Sequence, residues 1–138
     1  YVGTTAIGIC YEVIKPEYRD LVKERVERFH DVIEIKKEQL SNFCGNCLEI
    51  PDKDGNLLLA MSTSAFNAYT ELQKEKIEKH FKKIVHTDIS TIEKYGGGSA
   101  RCMLAELFWV WKLEFNFSVS SYFSYFYSYL IAFIYDVS

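Results

Sequence analysis

The segment from Asp88 to Leu107, DISTIEKYGGGSARCMLAEL, holds the residues best suited to chemistry. Gly96, Gly97 and Gly98 allow positive φ angles and a close approach of backbone to ligand, and they deliver Cys102 with Arg101 beside it. An amide-rich turn next to a guanidinium favours the thiolate over the thiol. Cys102 is therefore a candidate nucleophile, with Gly97, Gly98 and Arg101 as candidate substrate contacts. The plainer reading of the same spacing is a buried cysteine after a flexible loop, because free cysteine is among the most buried residue types.

Other groups carry weaker signals. Cys44-Gly45-Asn46-Cys47 is a C-x-x-C, a pattern used by redox pairs and by half of many zinc sites. Redox pairs start a helix, whereas Leu48-Glu49-Ile50 reads as a strand, and no second ligand pair is spaced to complete a zinc tetrahedron. A packing role is simpler, and no metal or organic cofactor is expected. Of the three histidines, His30 falls in a solvated helix and His80 among Glu78, Lys79 and Lys82 on the surface. His86 lies in a strand.

The elements that must position Cys102 follow from periodicity. Thr4 to Ile14 is β-branched and apolar and stops at Lys15-Pro16, which predicts a strand followed by a helix with proline in its first turn. Pro16 to His30 places Tyr18, Leu21, Val22, Val26 and Phe29 on one face, which predicts a helix covering a sheet. Val32 to Ile35 reads as a strand and Lys36 to Phe43 as a short helix. Cys47 to Ile50 and Leu57 to Met61 form a hairpin about Asp54-Gly55. Ser62 to Tyr69 reads as a helical turn, and Thr70 caps a helix to about Lys83. Ile84 to Ile89 is a strand and Ser90 to Tyr95 a helical turn leading into the glycines.

This order occurs twice. Strand, helix, strand, helical turn ends once at Gly45-Asn46-Cys47-Leu48-Glu49 and again at Gly98-Ser99-Ala100-Arg101-Cys102, with Cys47 and Cys102 55 residues apart. Units of this size that cannot bury their own faces are the mark of a propeller or solenoid. The equivalence makes Asn46 a further candidate to line the site, with Glu49 near it.

The chain of 138 residues carries a net charge of -3, which gives no electrostatic footprint for nucleic acid or for a polybasic membrane contact. No signal-peptide pattern precedes the cysteines, so reduced thiols and a cytoplasmic location are the default. The sequence does not fix the oligomeric state. Composition shifts near Phe108. Thirteen of the 22 aromatic residues lie from there to Ser138, where only Lys112, Glu114 and Asp136 are charged. The uncharged run Phe115 to Tyr135 is long enough to cross a bilayer, but its serines and tyrosines make a membrane span marginal.

GGGSARCMLAE, preceded by VHTDISTIEK and further upstream by NFCGNCLEI and KDGNLLLAMSTSAFNAYTELQ, resembles the C-terminal part of the arginine deiminase-related, amidinotransferase-like proteins of the guanidino-group modifying (pentein) superfamily. The resemblance runs from about Ile7 to Phe108. It implies an α/β fold, a five-bladed propeller of ββαβ modules of which about two are present. Residues 1–108 are then its C-terminal part. Residues 109–138 are an atypical low-complexity Phe/Tyr/Ser tail that reads as an out-of-frame or read-through extension. By the same resemblance Cys102 is the nucleophile that attacks the guanidino carbon of an arginine-like small molecule, giving a covalent thiouronium on the way to hydrolysis or amidino transfer. The family's catalytic histidine comes from a His-Thr-Asn-like stretch in an earlier blade. His86 lies instead in Val85-His86-Thr87-Asp88, so the chain alone is expected to be inactive. The competing expectation is a non-catalytic half-propeller scaffold anchored to a membrane or partner through the aromatic tail.

Overall fold

The β-branched run at the start of the chain makes a shorter strand than its composition predicts: β1 covers Ala6–Ile9, and a single 3-10 turn at Tyr11–Val13 follows before Pro16 opens α1, Pro16–Glu27. The structure is a computed structural model that describes residues 1 and 3–105. The aromatic tail, and with it the domain expected at 109–138, lies outside the described residues.

Lys15 is extended, as the residue before a proline prefers, and Arg19 ties the start of α1 back through hydrogen bonds to the carbonyls of Ile14 at 2.8 Å and Glu12 at 3.1 Å. The chain returns in β2, Asp31–Glu34, parallel to β1 with Ala6 opposite Asp31. Tyr1 and Gly3 extend the same sheet on the other side of β1, since Gly8 N–H bonds to Tyr1 O at 3.0 Å and Gly3 N–H to Ala6 O at 2.9 Å. One turn of helix, α2 at Lys37–Leu40, leads to the second unit.

That unit repeats the pattern. β3, Leu48–Pro51, pairs antiparallel with β4, Leu57–Ser62, and β4 pairs parallel with β5, Lys83–Thr87. The hairpin turn forms where the Asp-Gly step predicts. Gly55 sits at φ 82°, and Asp52 Oδ1 accepts from the backbone of Asp54 at 2.9 Å and of Asn56 at 2.8 Å. Two helices cross from β4 to β5: α3, Thr63–Ala68, and α4, Glu71–Glu78. Thr70 caps α4 in a reciprocal box with Gln73, but α4 stops well short of Lys83. The N–H groups of His80 and Phe81 both turn back onto the Ile77 carbonyl, and Phe81 drops into the core. After β5 come α5, Ser90–Gly96, and one turn of α6, Ala100–Met103.

The first unit is thus βαβ, with Tyr1 and Gly3 bonded along β1, and the second ββαβ; among the described residues they form two open sheets. They share one core, in which Ile33 and Ile35 of the first unit pack with Leu59, Met61, Ile77 and Phe81 of the second. The helix expected to cover a sheet does so only in part. Val22 and Val26 are half-buried, but Tyr18 is 54% and Leu21 48% exposed, and no residue of α1 is fully buried. The β1–β2 pair is too narrow to receive the whole apolar face. No helix among the described residues is long and apolar enough to cross a membrane.

Polar side chains close the seam between the units. Gln39 Nε2 donates to Gln73 Oε1 at 2.8 Å, and Gln73 Nε2 donates to Gln39 Oε1 at 3.0 Å and to the Glu34 carbonyl at 2.6 Å. Gln39 is only 8% exposed, and its amide also donates to the Ala68 carbonyl at 2.7 Å and accepts the Lys36 N–H at 2.9 Å. Gln73→Ala is expected to lower the unfolding free energy by about 1–2 kcal/mol, through the lost bonds to Gln39 and the Glu34 carbonyl and the lost side-chain half of the α4 capping box. Urea denaturation followed by circular dichroism measures it, with exposed Glu75→Ala as the control of unchanged stability.

Candidate functional site

Gly96 ends α5, and Gly97 closes it in the left-handed region at φ 67° with its N–H on the Glu93 carbonyl. Of the three glycines only Gly97 takes a positive φ, so the turn is a helix cap followed by a close approach. Gly98 supplies that approach. A Cβ there would stand 3.1 Å from both Cβ and Sγ of Cys102, tighter than side chains normally accept. Ser99 is fully buried, and α6 then carries Cys102 outward. Cys102 is exposed, which excludes the buried-cysteine reading.

The thiol is held by Asn46. Asn46 Nδ2 donates to Cys102 Sγ at 3.1 Å, while its Oδ1 accepts from the Arg101 N–H at 2.8 Å. Cys102 N–H also bonds to the Ser99 carbonyl at 2.9 Å. The Cys102 thiol is held below its ordinary pKa: the Asn46 amide contributes most, a backbone hydrogen bond from Ser99 to the thiol next, and Arg101 least. Arg101 thus serves the site first through its backbone N–H. Asn46 and Cys102 occupy equivalent ends of the two units, and the seam brings those ends into contact.

Below the thiol lies a group that sequence reasoning missed. Glu93 accepts hydrogen bonds from the hydroxyls of Ser64 and Ser99, both at 2.7 Å. Nothing in the linear sequence distinguishes Glu93 from a solvated helix residue, because Ser64 is 29 positions away.

The remaining candidates are engaged elsewhere. Glu49 accepts from the Thr4 N–H at 2.9 Å and holds the first turn of the chain. His80 is not a free surface residue. Its Nε2 lies 3.1 Å from Asp31 Oδ2, and its Nδ1 is 2.9 Å from Thr5 Oγ1. His86 stacks on Phe66 with ring centroids 4.0 Å apart and bonds Thr63 Oγ1 through Nδ1 at 3.0 Å; burial and then Lys74 depress its pKa. His30 follows α1, at the turn into β2. None of the three is hydrogen-bonded to Cys102 among the described residues.

Cys44 and Cys47 are buried, and Tyr69 donates its hydroxyl to the Cys44 carbonyl. Burial pushes the Cys44 thiol up to about 12 and the Cys47 thiol up to about 11, the opposite of what a redox or metal-binding pair needs. β3 begins directly after Cys47, as the strand-like residues predict. Among the described residues no three His, Cys, Asp or Glu side chains gather as a metal site.

Two α/β units that share a core, one βαβ and one ββαβ, present an exposed, hydrogen-bonded thiol at their seam. The chain belongs to the eukaryotic N,N dimethylarginine dimethylhydrolase family, whose model matches residues 1–109. That match supports the guanidino-modifying superfamily to which the glycine-cysteine segment pointed. No curated protein and no solved structure gives a match.

The environments of the four thiols predict their reactivity. At neutral pH iodoacetamide is expected to label Cys102 before Cys10, Cys44 or Cys47, read by peptide mass spectrometry. Its rate should rise with pH and level off below the range of an ordinary thiol at about 8.5, because a depressed pKa keeps the thiolate present at lower pH. Asn46→Ala is expected to slow labelling at pH 7 by about threefold to tenfold, the loss of one hydrogen bond to a charged acceptor.

Proposed function

We propose that the chain is part of a cysteine hydrolase acting on the guanidino group of methylated arginines, with Cys102 as nucleophile. The observation that carries the proposal is the exposed Cys102 thiol, held by Asn46 at 3.1 Å, in a chain of the dimethylarginine dimethylhydrolase family. A guanidinium carbon is a poor electrophile, so a thiolate present at neutral pH is the first requirement.

In the proposed reaction Cys102 Sγ forms a bond to the guanidino carbon. The C–N bond to the methylated nitrogen breaks, and the amine leaves with a proton. Water then adds to the thiouronium carbon and the C–S bond breaks, which returns the thiol and releases the urea-bearing product. Arg101, on the exposed face beside the thiol, has the wrong charge to meet a guanidinium and the right one for the substrate's α-carboxylate. Gly98 leaves room for the planar group next to Sγ. Hydrolysis needs no acceptor amine, and the family match favours it over amidino transfer.

Two partners of this chemistry are missing from the surroundings of Cys102 among the described residues: a histidine that moves protons, and carboxylates that hold the planar cation. We assign both to other modules of a five-bladed propeller of which the described units are two. Free thiols at Cys10, Cys44, Cys47 and Cys102 fit a reducing, cytoplasmic setting. The scaffold reading rests on the same absence of a neighbouring histidine, and the experiment separates the two.

The chain alone is expected to give no citrulline from asymmetric dimethylarginine or arginine, and no carbamoylputrescine from agmatine, above a Cys102→Ser control. A chimera in which residues 1–105 replace the corresponding modules of a eukaryotic dimethylarginine hydrolase is expected to release citrulline and dimethylamine, and to lose this with Cys102→Ser. A folded chimera without turnover, or with turnover that survives Cys102→Ser, overturns the proposal in favour of a scaffold.

A further inference from the structure

The carboxylate of Glu93 is ringed by hydroxyls rather than by cations. Ser99 donates to Oε1 and Ser64 to Oε2, both at 2.7 Å, and Ser62 presents a third hydroxyl to it. Burial pushes Glu93 up, but the hydrogen bonds from Ser62, Ser99 and Ser64 outweigh it and leave the group below the usual carboxylate range. An ionised carboxylate is the natural acceptor for a hydroxyl that has no access to water. Ser99 is such a residue, fully buried, and its carbonyl receives the Cys102 N–H at 2.9 Å. Glu93 also holds the other side of the turn, since its own carbonyl accepts the Gly97 N–H at 3.3 Å.

We infer that Glu93 is a positioning residue for Cys102: by fixing Ser99 and Gly97 it sets the turn that presents the thiol to Asn46. The inference rests on the reading of Cys102 as the reacting thiol, and Glu93 itself does not touch Sγ. Ser64 of α3 and Ser62 give the carboxylate further hydroxyl partners, so its bond to Ser99 depends on neither alone. Without the bond from Ser99 to the carboxylate the glycines would leave the backbone from Gly96 to Ser99 free to drift. The 3.1 Å contact between Asn46 and Sγ would then be made only part of the time.

The sign of the effect distinguishes positioning from charge. Glu93→Gln removes a negative charge, and removing one cannot by electrostatics alone disfavour the thiolate or slow alkylation. Loss of positioning weakens the Asn46 contact and slows it. The test measures iodoacetamide labelling of Cys102 against pH in the full chain and in Glu93→Gln, Ser99→Ala and Ser64→Ala, with Cys44 and Cys47 as internal reporters of folding. Glu93→Gln and Ser99→Ala are expected to slow Cys102 labelling at pH 7 by about threefold to tenfold and to move its profile to higher pH, with Cys44 and Cys47 still protected. Ser64→Ala leaves the rate within about twofold, because Ser99 still has its acceptor.

An unchanged or faster rate in folded Glu93→Gln overturns the inference. If Glu93→Gln exposes Cys44 and Cys47 by unfolding, Ser99→Ala decides, and an unchanged rate there overturns it as well. An equal loss in Ser64→Ala overturns the route through Ser99. Alkylation needs no guanidino substrate, so an inactive chimera would end the hydrolase reading and leave this outcome readable.

Discussion

Neither unit encloses a core of its own, and that shortage governs how the rest of the two units is arranged. The first unit offers Ile33 and Ile35 as its largest fully buried side chains, and they share one cluster with Leu59, Met61, Ile77 and Phe81 from the second. Once two such faces are joined, every polar group at the edge of the join must find a partner or forfeit the desolvation cost of burial. The paired amides of Gln39 and Gln73 answer that demand, and the exposed contacts of His80 with Asp31 and Thr5 and of Thr4 with Glu49 line the rim of the same join. The candidate site lies on the same seam. Asn46 belongs to the end of one unit and Cys102 to the end of the next, and they meet because the units do.

The manner in which the thiol is activated follows from this placement. A cation beside a cysteine is the familiar route to a low pKa, and Arg101 is adjacent in sequence. Yet Arg101 is exposed, where water screens its charge, and it contributes least. The larger contribution comes from a neutral amide that donates a directed hydrogen bond. Such a donor acts only if it is held still, and Asn46 is held by its second bond, from the Arg101 N–H to Oδ1. The amide therefore bridges the thiol and the backbone that carries it. The buried pair Cys44 and Cys47 shows the opposite environment a few residues away, where apolar surroundings keep both thiols neutral.

The histidines show how far side-chain identity is from function. Each of His80 and His86 has a hydroxyl partner, and each has a second contact, with a carboxylate in one case and an aromatic ring in the other. Those contacts occupy both ring nitrogens of His80 and Nδ1 of His86, and neither imidazole is hydrogen-bonded to Cys102 among the described residues. Both imidazoles stabilise the places where β-strands begin or where helices pack on them.

The sequence by itself determined the local order of elements, the hairpin at Asp54-Gly55 and the cap at Thr70, because each depends on neighbours in the chain; the same local spacing left Cys102 open to a buried reading, which only its exposure in the structure excludes. Turn chemistry, capping and apolar periodicity act over a few residues and are written there. The repeat was also legible, and it placed Asn46 at the position equivalent to the cysteine turn. It could not say that the two positions touch. The full apolar face assigned to α1 failed for a related reason: periodicity shows which side of a helix is apolar but not how wide a sheet awaits it. Only the tertiary structure decided that Asn46 donates to Sγ, that Glu93 gathers Ser64 and Ser99, and that His80 is engaged by Asp31. Those contacts join residues 6 to 56 positions apart, 29 or more in every case but Glu93 with Ser99, so they depend on how the two units dock. Docking is set by the shape and burial of the shared core, which no local pattern of residue types contains.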